Sequence, residues 1–396
     1  KALLFGSYIH RNPIFSTTPL ISLRRNNIIV RVPLVDKDEI PGQIEIEFEG
    51  RPLVALSGES VAATLAANGI LDLRTSPTGT SRGIFCGMGV CHDCLVEIDG
   101  QQNQRACMIK VDRPMKVYRQ QFPGRLPPDN NSNREKQASF PQIETPELLV
   151  VGGGIGGMSA AAVAAESGTG VILLDERSQL GGQFCKQPTS VHVLSKKEAA
   201  SDMQVRMGRK LIERITNAGV ELITEMQVWA GFPQRDVLAV SNGHTRFFRP
   251  DRLIVATGAY ERGLPLPGWT LPGVMTTGAA QTLLRSYRVI PGERILIAGN
   301  GPFNMQVALE LAKAGATIVA VVESSLRPGL RSLAALYDMY RGSRQLLFDG
   351  VRYTRDLKRR RIPLLYGHNL VSVEQIDGGL QVQLASSTNG IRQSSS

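Results

Sequence analysis

Four cysteines fall within 22 residues, Cys86, Cys91, Cys94 and Cys107, at the spacing C-x4-C-x2-C-x12-C. This is the plant-type [2Fe–2S] ligand spacing. A two-iron cluster needs four thiolates around a small cage, so three ligands come from one tight loop and the fourth from a neighbouring strand. Gly83, Gly87 and Gly89 sit among the ligands, where the backbone must curl and aim its amides at sulfur, conformations that glycine adopts cheaply. The fourth ligand follows a hairpin signal, with residues 95–98 as one strand, Asp99-Gly100 as the turn and residues 104–108 as the return that carries Cys107 back. Zinc and structural thiols are the competing assignments. Structural zinc prefers paired C-x2-C units, and a disulfide set must accommodate three cysteines in nine residues.

Upstream, residues 44–48 alternate like a strand, Glu49-Gly50 turns, residues 51–55 return, and residues 59–68 read as a short helix. Hairpin, helix and cysteine loop together predict a β-grasp [2Fe–2S] ferredoxin-like domain. Such a domain moves one electron at a time, so a second centre that handles electrons in pairs is expected on the same chain.

That centre is expected where a strand over 147–151, apolar from Leu148 on, runs into Gly152-Gly153-Gly154-Ile155-Gly156-Gly157 and an alanine-rich helix. In the G-x-G-x-x-G pattern, Gly152 permits the tight turn, Gly154 lets the backbone approach a pyrophosphate, and Gly157 lets the helix pack on its strand. A second strand, residues 171–174, ends at Asp175-Glu176. An acid about 20 residues past the glycines is placed to bind a ribose hydroxyl, and Asp175 is favoured over Glu176. The charge-free stretch 148–165 approaches the length of a membrane helix, but its glycine density favours strand, loop and helix.

Beyond the acid come Gly181-Gly182-Gln183 and, later, an apolar strand ending in Ala256-Thr257-Gly258. A second βαβ unit follows, with a strand at 295–298, Gly299-Asn300-Gly301-Pro302, a helix, and a strand ending at Glu323. Its third glycine position holds Asn304, which leaves two assignments open, a nucleotide site or a structural remnant of one.

Between residues 40 and 385 the chain resembles the α-type subunits of heteromeric amino-acid and amine dehydrogenases, the group of hydrogen cyanide synthase, opine oxidase, D-hydroxyproline dehydrogenase, dye-linked proline dehydrogenase and sarcosine oxidase. The resemblance rests on residues 82–94, 150–157, 173–183, 254–262 and 299–302, and most specifically on Leu266-Pro267-Gly268-Trp269-Thr270-Leu271-Pro272-Gly273-Val274. It implies an FAD- and [2Fe–2S]-containing oxidoreductase subunit, acting on CH–NH or CH–NH2 donors through a partner flavin-containing β subunit that carries the substrate site, with an electron acceptor or respiratory chain beyond. FAD would engage Gly152, Gly154, Gly157, Asp175, Glu176, Gly182, Gln183, Thr257 and Gly258. NAD(P) or another nucleotide would engage Gly299, Gly301 and Glu323, and Cys86, Cys91, Cys94 and Cys107 would hold the cluster. Two-domain flavoproteins return to the first domain with a flavin-holding Gly-Asp that has no counterpart here. A fragment or truncated product is therefore expected, with FAD retention the property most exposed.

The fold class is thus α+β and α/β, a β-grasp domain followed by two Rossmann-type units. The expected modules are a basic extension (1–38), the cluster domain (39–120), a proline-rich linker (121–146), an FAD-binding unit (147–265), a second nucleotide-binding unit (266–388) and a tail (389–396). At 396 residues and 42% hydrophobic, the chain can bury several cores. Five cysteines, four of them assigned to a cluster, fit a reducing compartment and point to the cytoplasm, with peripheral attachment to the inner membrane as an extension of that view. Residues 1–35 lack Asp and Glu and carry Arg11, Arg24, Arg25 and Arg31, which makes mitochondrial import the alternative. The net charge of +10 is spread along the chain, and its densest run, Lys358-Arg359-Arg360-Arg361, is short. No nucleic-acid partner and no membrane span are expected.

The histidines His10, His92, His192, His244 and His368 are scattered, and no proton-abstracting constellation can be assembled from them. Cys185 has no partner at redox-disulfide spacing and reads as a buried thiol near the cofactor. Two other functions compete with the subunit role: a stand-alone NAD(P)H-dependent FAD reductase with a fused ferredoxin domain, and a non-catalytic remnant.

Overall fold

The computed structural model describes residues 2–5, 20–24, 31–32, 42–121, 142–189, 202–241, 243–329 and 332–386. They form two compact units: Lys1–Arg125 together with Glu261–Ser396, and Leu126–Tyr260. The first unit therefore joins the cysteine-bearing domain to the second βαβ module, although 135 residues separate them in the chain. Of the stretch expected to be a proline-rich linker, 121–146, residues 122–141 lie outside the described residues, and at its end Ile143–Glu144 pairs as a strand with His244–Phe248.

The cysteine-bearing domain opens with a hairpin, Gln43–Phe48 and Arg51–Leu56, closed where Glu49 and Gly50 both take positive φ. That left-handed pair is the two-residue turn whose twist matches the strands. Lys116–Arg119 lies parallel to the first strand and antiparallel to Leu95–Ile98, which gives a five-stranded mixed sheet with helix Val61–Ala67 against it. Ser60 caps that helix, its side chain accepting the Ala63 amide at 3.2 Å. The returning strand after Asp99-Gly100 is Gln101–Arg105 rather than 104–108. With only two turn residues, pairing starts at once, Ile98 facing Gln101, so the strand is used up before Cys107, which sits in the following turn.

The second βαβ module carries a parallel sheet in the order Val274–Thr276, Ala2–Phe5, Arg294–Gly299, Thr317–Glu323, Leu364–Tyr366. Ala2–Phe5 and Leu20–Arg24 belong to the stretch read as a basic extension, and both pair as strands, the latter with Gly379–Ser386. One hydrophobic core runs through both modules of this unit, placing Phe48, Leu65, Val96 and Val117 with Met275, Ala279, Leu283 and Ile297. Helices Thr277–Tyr287 and Pro302–Lys313 are pinned by Arg285, which donates to Glu310 at 2.7 and 2.9 Å.

Burial pushes the Glu310 carboxyl up, but Arg285, Gln306 and Gln281 outweigh it and hold the group below the usual carboxylate range. Arg285→Met would strand a buried charge and is expected to cost about 3 kcal/mol in urea unfolding at neutral pH. Because the folded carboxyl titrates below its unfolded value of about 4.3, the pair stabilises above that pH and its contribution fades as pH falls through the folded value. The gap between wild type and variant should therefore close on acidification, and an unchanged gap would count against the ion pair as its source.

The Leu126–Tyr260 unit has a parallel sheet ordered Glu221–Ile223, Val171–Leu174, Leu148–Val151, Arg252–Val255. Apolar clusters cover both of its faces, one around Met158, Leu173 and Ile215, the other around Leu149, Leu174 and Phe248. A meander of Gln227–Phe232, Asp236–Ser241 and His244–Phe248 completes it. No described helix is long and apolar enough to cross a membrane.

Candidate cluster and dinucleotide sites

The cysteine loop is shaped by left-handed residues, Gly87 (φ 65°), Gly89 (φ 82°) and His92 (φ 58°). The turns aim amides inward, so that the Met88 N–H reaches Cys86 Sγ at 3.4 Å and the Asp93 N–H reaches Cys91 Sγ at 3.5 Å. The four thiols form two hydrogen-bonded pairs, Cys86 with Cys91 and Cys94 with Cys107. Cys86 is drawn down to about 5 by the neighbouring Cys91, against its burial, while Cys91 is pushed up by Cys86 and by burial. Cys94 is likewise lowered by Cys107, and Cys107 is raised. Two pairs of sulfurs match two irons that each take two thiolates. Among the described residues no three His, Cys, Asp or Glu converge as a single-ion site.

Two clamps on this loop escaped the sequence reading. Arg74 donates to the Asp93 carboxylate at 2.8 Å and to its carbonyl at 3.1 Å, fixing the residues between Cys91 and Cys94, and Arg105 donates to the Gly89 carbonyl at 3.0 Å. Burial raises the Asp93 carboxyl, opposed by Arg74 and Arg82. An acid between two of the clustered cysteines is a visible signal in the sequence, but its arginine lies 19 residues upstream.

In the Leu126–Tyr260 unit the predicted dinucleotide residues converge. Gly152 has φ 110°, and a Cβ there would meet the Ala256 carbonyl at 2.3 Å, just before Thr257 and Gly258. A Cβ on Gly157 would meet the Gly152 carbonyl at 1.8 Å, so the helix seats directly on the loop. Above Gly154 only the Gly182 Cα comes near, at 3.8 Å, and helix Ile155–Glu166 has no side-chain cap. An open N-terminus over glycines suits an anionic pyrophosphate. The Asp175 carboxylate accepts the Gly153 amide at 2.6 Å and the Arg177 amide at 2.7 Å, whereas Glu176 accepts from the Tyr260 hydroxyl at 3.4 Å. Burial raises the Asp175 carboxyl against the pull of those amides. Gly181 donates to the Gly153 carbonyl at 2.9 Å, and Gln183 accepts from the Lys186 ammonium. Cys185 is fully buried and forms no disulfide.

The second βαβ module repeats this geometry. Glu323 accepts the Gly301 amide at 2.9 Å and the Ser325 amide at 3.3 Å, and Gly299 ends the adjoining strand. At the third glycine position, buried Asn304 accepts from the Thr277 hydroxyl at 2.9 Å, so a hydrogen bond replaces close backbone packing. Of the histidines, His92 and His244 are exposed, His368 contacts the Tyr366 carbonyl at 2.8 Å, and His10 and His192 lie outside the described residues.

Residues 42–121 match the 2Fe-2S iron-sulfur cluster binding domain, and residues 146–339 match the pyridine nucleotide-disulphide oxidoreductase family. The chain thus carries a [2Fe–2S] domain and an FAD-type oxidoreductase domain. It is 34% identical over 179 residues to an opine oxidase subunit of Rhizobium meliloti (strain 1021), covering 45% of this chain and 39% of that protein. It is 46% identical over 72 residues to hydrogen cyanide synthase subunit HcnA of Pseudomonas aeruginosa, covering 18% of this chain and 69% of that protein. The chain therefore spans well under half of the opine oxidase relative. The L-proline dehydrogenase structure from P. horikoshii superposes with a TM-score of 0.59 at 20% identity, over 90% of this chain and 61% of that one, a likeness of fold.

Proposed function

We propose that this chain, which belongs to the family of FAD/[2Fe–2S] subunits of heteromeric amino-acid and amine dehydrogenases, relays electrons taken from an amino acid or secondary amine of the opine, hydroxyproline, sarcosine or glycine type. The observation that carries this reading is the presence in one chain of paired thiols in an amide-lined loop and an open glycine cradle with its acid in place. When bound, FAD handles electrons in pairs and the cluster handles them singly. Cys86, Cys91, Cys94 and Cys107 hold the cluster, with the Met88 and Asp93 amides hydrogen-bonding the sulfurs. Gly152, Gly154 and Gly157 let the backbone approach the pyrophosphate, while Asp175, with Glu176 beside it, takes the ribose. Gly182, Gln183, Thr257 and Gly258 border the same cradle.

In keeping with the heteromeric relatives, amine oxidation is assigned to a flavin-containing β subunit, with an electron acceptor or respiratory chain downstream. The cytoplasm, peripheral to the inner membrane, is the location this role favours. A second reading, an NAD(P)H-dependent reductase, draws support from Glu323 and Gly301, which mirror the first site.

The test is anaerobic purification with iron, sulfide and released nucleotide measured on one sample, followed by addition of NADH and then of candidate amines. About two irons and one FAD per chain, with no bleaching by NADH alone, is the expected result. Rapid bleaching by NADH selects the reductase, and cluster without flavin selects a non-catalytic remnant.

A further inference from the structure

The run Pro267-Gly268-Trp269-Thr270-Leu271-Pro272-Gly273-Val274 is the most distinctive stretch of the sequence, yet glycine motifs and cysteine spacing give it no task. In the structure it folds into consecutive tight turns, with the Trp269 amide donating to the Leu266 carbonyl at 3.1 Å, Leu271 to Gly268 at 3.1 Å and Val274 to Leu271 at 2.9 Å. It is stapled to the hairpin strand His368–Ile376, because the Val373 amide donates to the Pro267 carbonyl at 2.8 Å and a Cβ on Gly268 would meet the Val373 carbonyl at 1.8 Å. The run is therefore held rigidly before it touches anything else.

What it touches is the cysteine loop. The Trp269 and Phe85 rings meet edge to face, with centroids 4.9 Å apart, and Phe85 immediately precedes Cys86. Both rings close on Gly263, where a Cβ would lie 2.7 Å from Phe85 and 2.9 Å from Trp269. The Arg82 guanidinium donates to the Thr270 hydroxyl, and the Thr276 amide donates to the Phe85 carbonyl at 2.9 Å. Gly87 lies so close to helix Thr277–Tyr287 that a Cβ would sit 3.0 Å from that of Ala279. On this side Phe85, Cys86 and Met88 are buried, whereas Val90 (53% exposed), Cys91 and His92 form the open rim.

We propose that Trp269 is a positioning residue for the cluster. With Phe85 it clamps the Cys86 side of the ligand loop onto the second βαβ module and shuts water out there, leaving the Val90–His92 rim as the open edge for electron exchange. The proposal rests on the assignment of Cys86, Cys91, Cys94 and Cys107 as cluster ligands. A water-excluded cluster resists taking on the extra negative charge of reduction, so opening this side should raise its reduction potential. Loosening an outer support should also weaken metal retention.

The chain has two tryptophans, Trp229 and Trp269, so Trp229→Phe leaves Trp269 as the sole indole emitter. The experiment uses the full chain reconstituted anaerobically, comparing wild type, Trp229→Phe, Trp269→Ala and Trp269→Phe. The readouts are the EPR-monitored midpoint potential, the rate of iron loss to a chelator, and indole emission with and without the cluster. Trp269→Ala should lose iron on the order of tenfold faster with a raised potential, and Trp269→Phe should restore both. Emission from Trp229→Phe should be quenched when the cluster is loaded. Unchanged potential and iron loss in Trp269→Ala, or failure of Trp269→Phe to restore them, would overturn the proposal. If Trp269→Ala does not fold, quenched emission together with wild-type behaviour of Trp269→Phe supports the clamp, and unquenched emission overturns it. A wild-type chain that takes up no cluster would instead sink the ligand assignment on which the proposal rests.

Discussion

A Cys94→Ser chain purified without oxygen is expected to lose its iron–sulfur absorbance, with iron and labile sulfide falling from about two each to near zero, while its FAD content stays at the wild-type level. Cys94 is 2% exposed and pairs with Cys107 at the inner end of the site, where no solvent ligand can enter to replace a lost sulfur. Serine offers a hard hydroxyl that stays protonated at neutral pH, a poor substitute for thiolate on iron. The buried hydroxyl costs about 1–3 kcal/mol if it finds no partner, too little to unfold a domain whose core includes Ile46, Leu65, Val96 and Val117. FAD should be indifferent, because every residue of the first glycine cradle belongs to the Leu126–Tyr260 unit and every cysteine of the quartet to the other. Iron and sulfide assays beside acid-released flavin on one preparation decide it. Loss of both cofactors would refute independent sites, and a retained cluster would refute Cys94 as a ligand.

The mirror experiment is Gly157→Ala. The added methyl would sit 1.8 Å from the Gly152 carbonyl oxygen and 3.0 Å from its carbon, against backbone that no side-chain rotation can relieve. Helix Ile155–Glu166 must then lift off its strand, and the turn at Gly152, itself wedged against Ala256, cannot follow. A cost of about 3 kcal/mol or more to this unit is expected, with FAD content falling by roughly tenfold and iron unchanged. Gly156→Ala is the control. A Cβ there meets nothing within 4 Å, and alanine in a helix is favoured over glycine by about 1 kcal/mol, so FAD should be held as in wild type. Flavin-to-protein ratios and thermal unfolding of the two variants separate the outcomes, and stoichiometric FAD in Gly157→Ala would remove the glycine cradle as the binding site.

The residues most legible in advance were those whose task is local. The turns at Glu49-Gly50 and Asp99-Gly100 and the left-handed Gly87 and Gly89 follow from short-range backbone sterics. The same holds for the order strand, glycines, helix, strand, acid, which brings Asp175 onto the Gly153 amide and Glu323 onto the Gly301 amide. Boundaries were less secure. The returning strand runs over Gln101–Arg105 instead of 104–108 because pairing register, which depends on the partner strand, decides where a hairpin ends. The meander at 227–248 went unread, since its alternation is broken by Pro233 and a bulge near Trp229.

Spacing and residue type along the chain were enough to bring four cysteines into one loop region, to shape the glycine turn at Gly152–Gly157 and to set Asp175 against it, because each is built within a few tens of residues by one loop and its flanking strands. They could not specify that the cysteine domain shares its core with the second βαβ module, that Arg74 and Arg105 clamp the ligand loop, or that Trp269 lies on Phe85, 184 residues away in sequence. Those contacts join surfaces that carry no mark of each other in the sequence. Burial of apolar area is nondirectional, and which two faces meet is settled only when the whole unit packs.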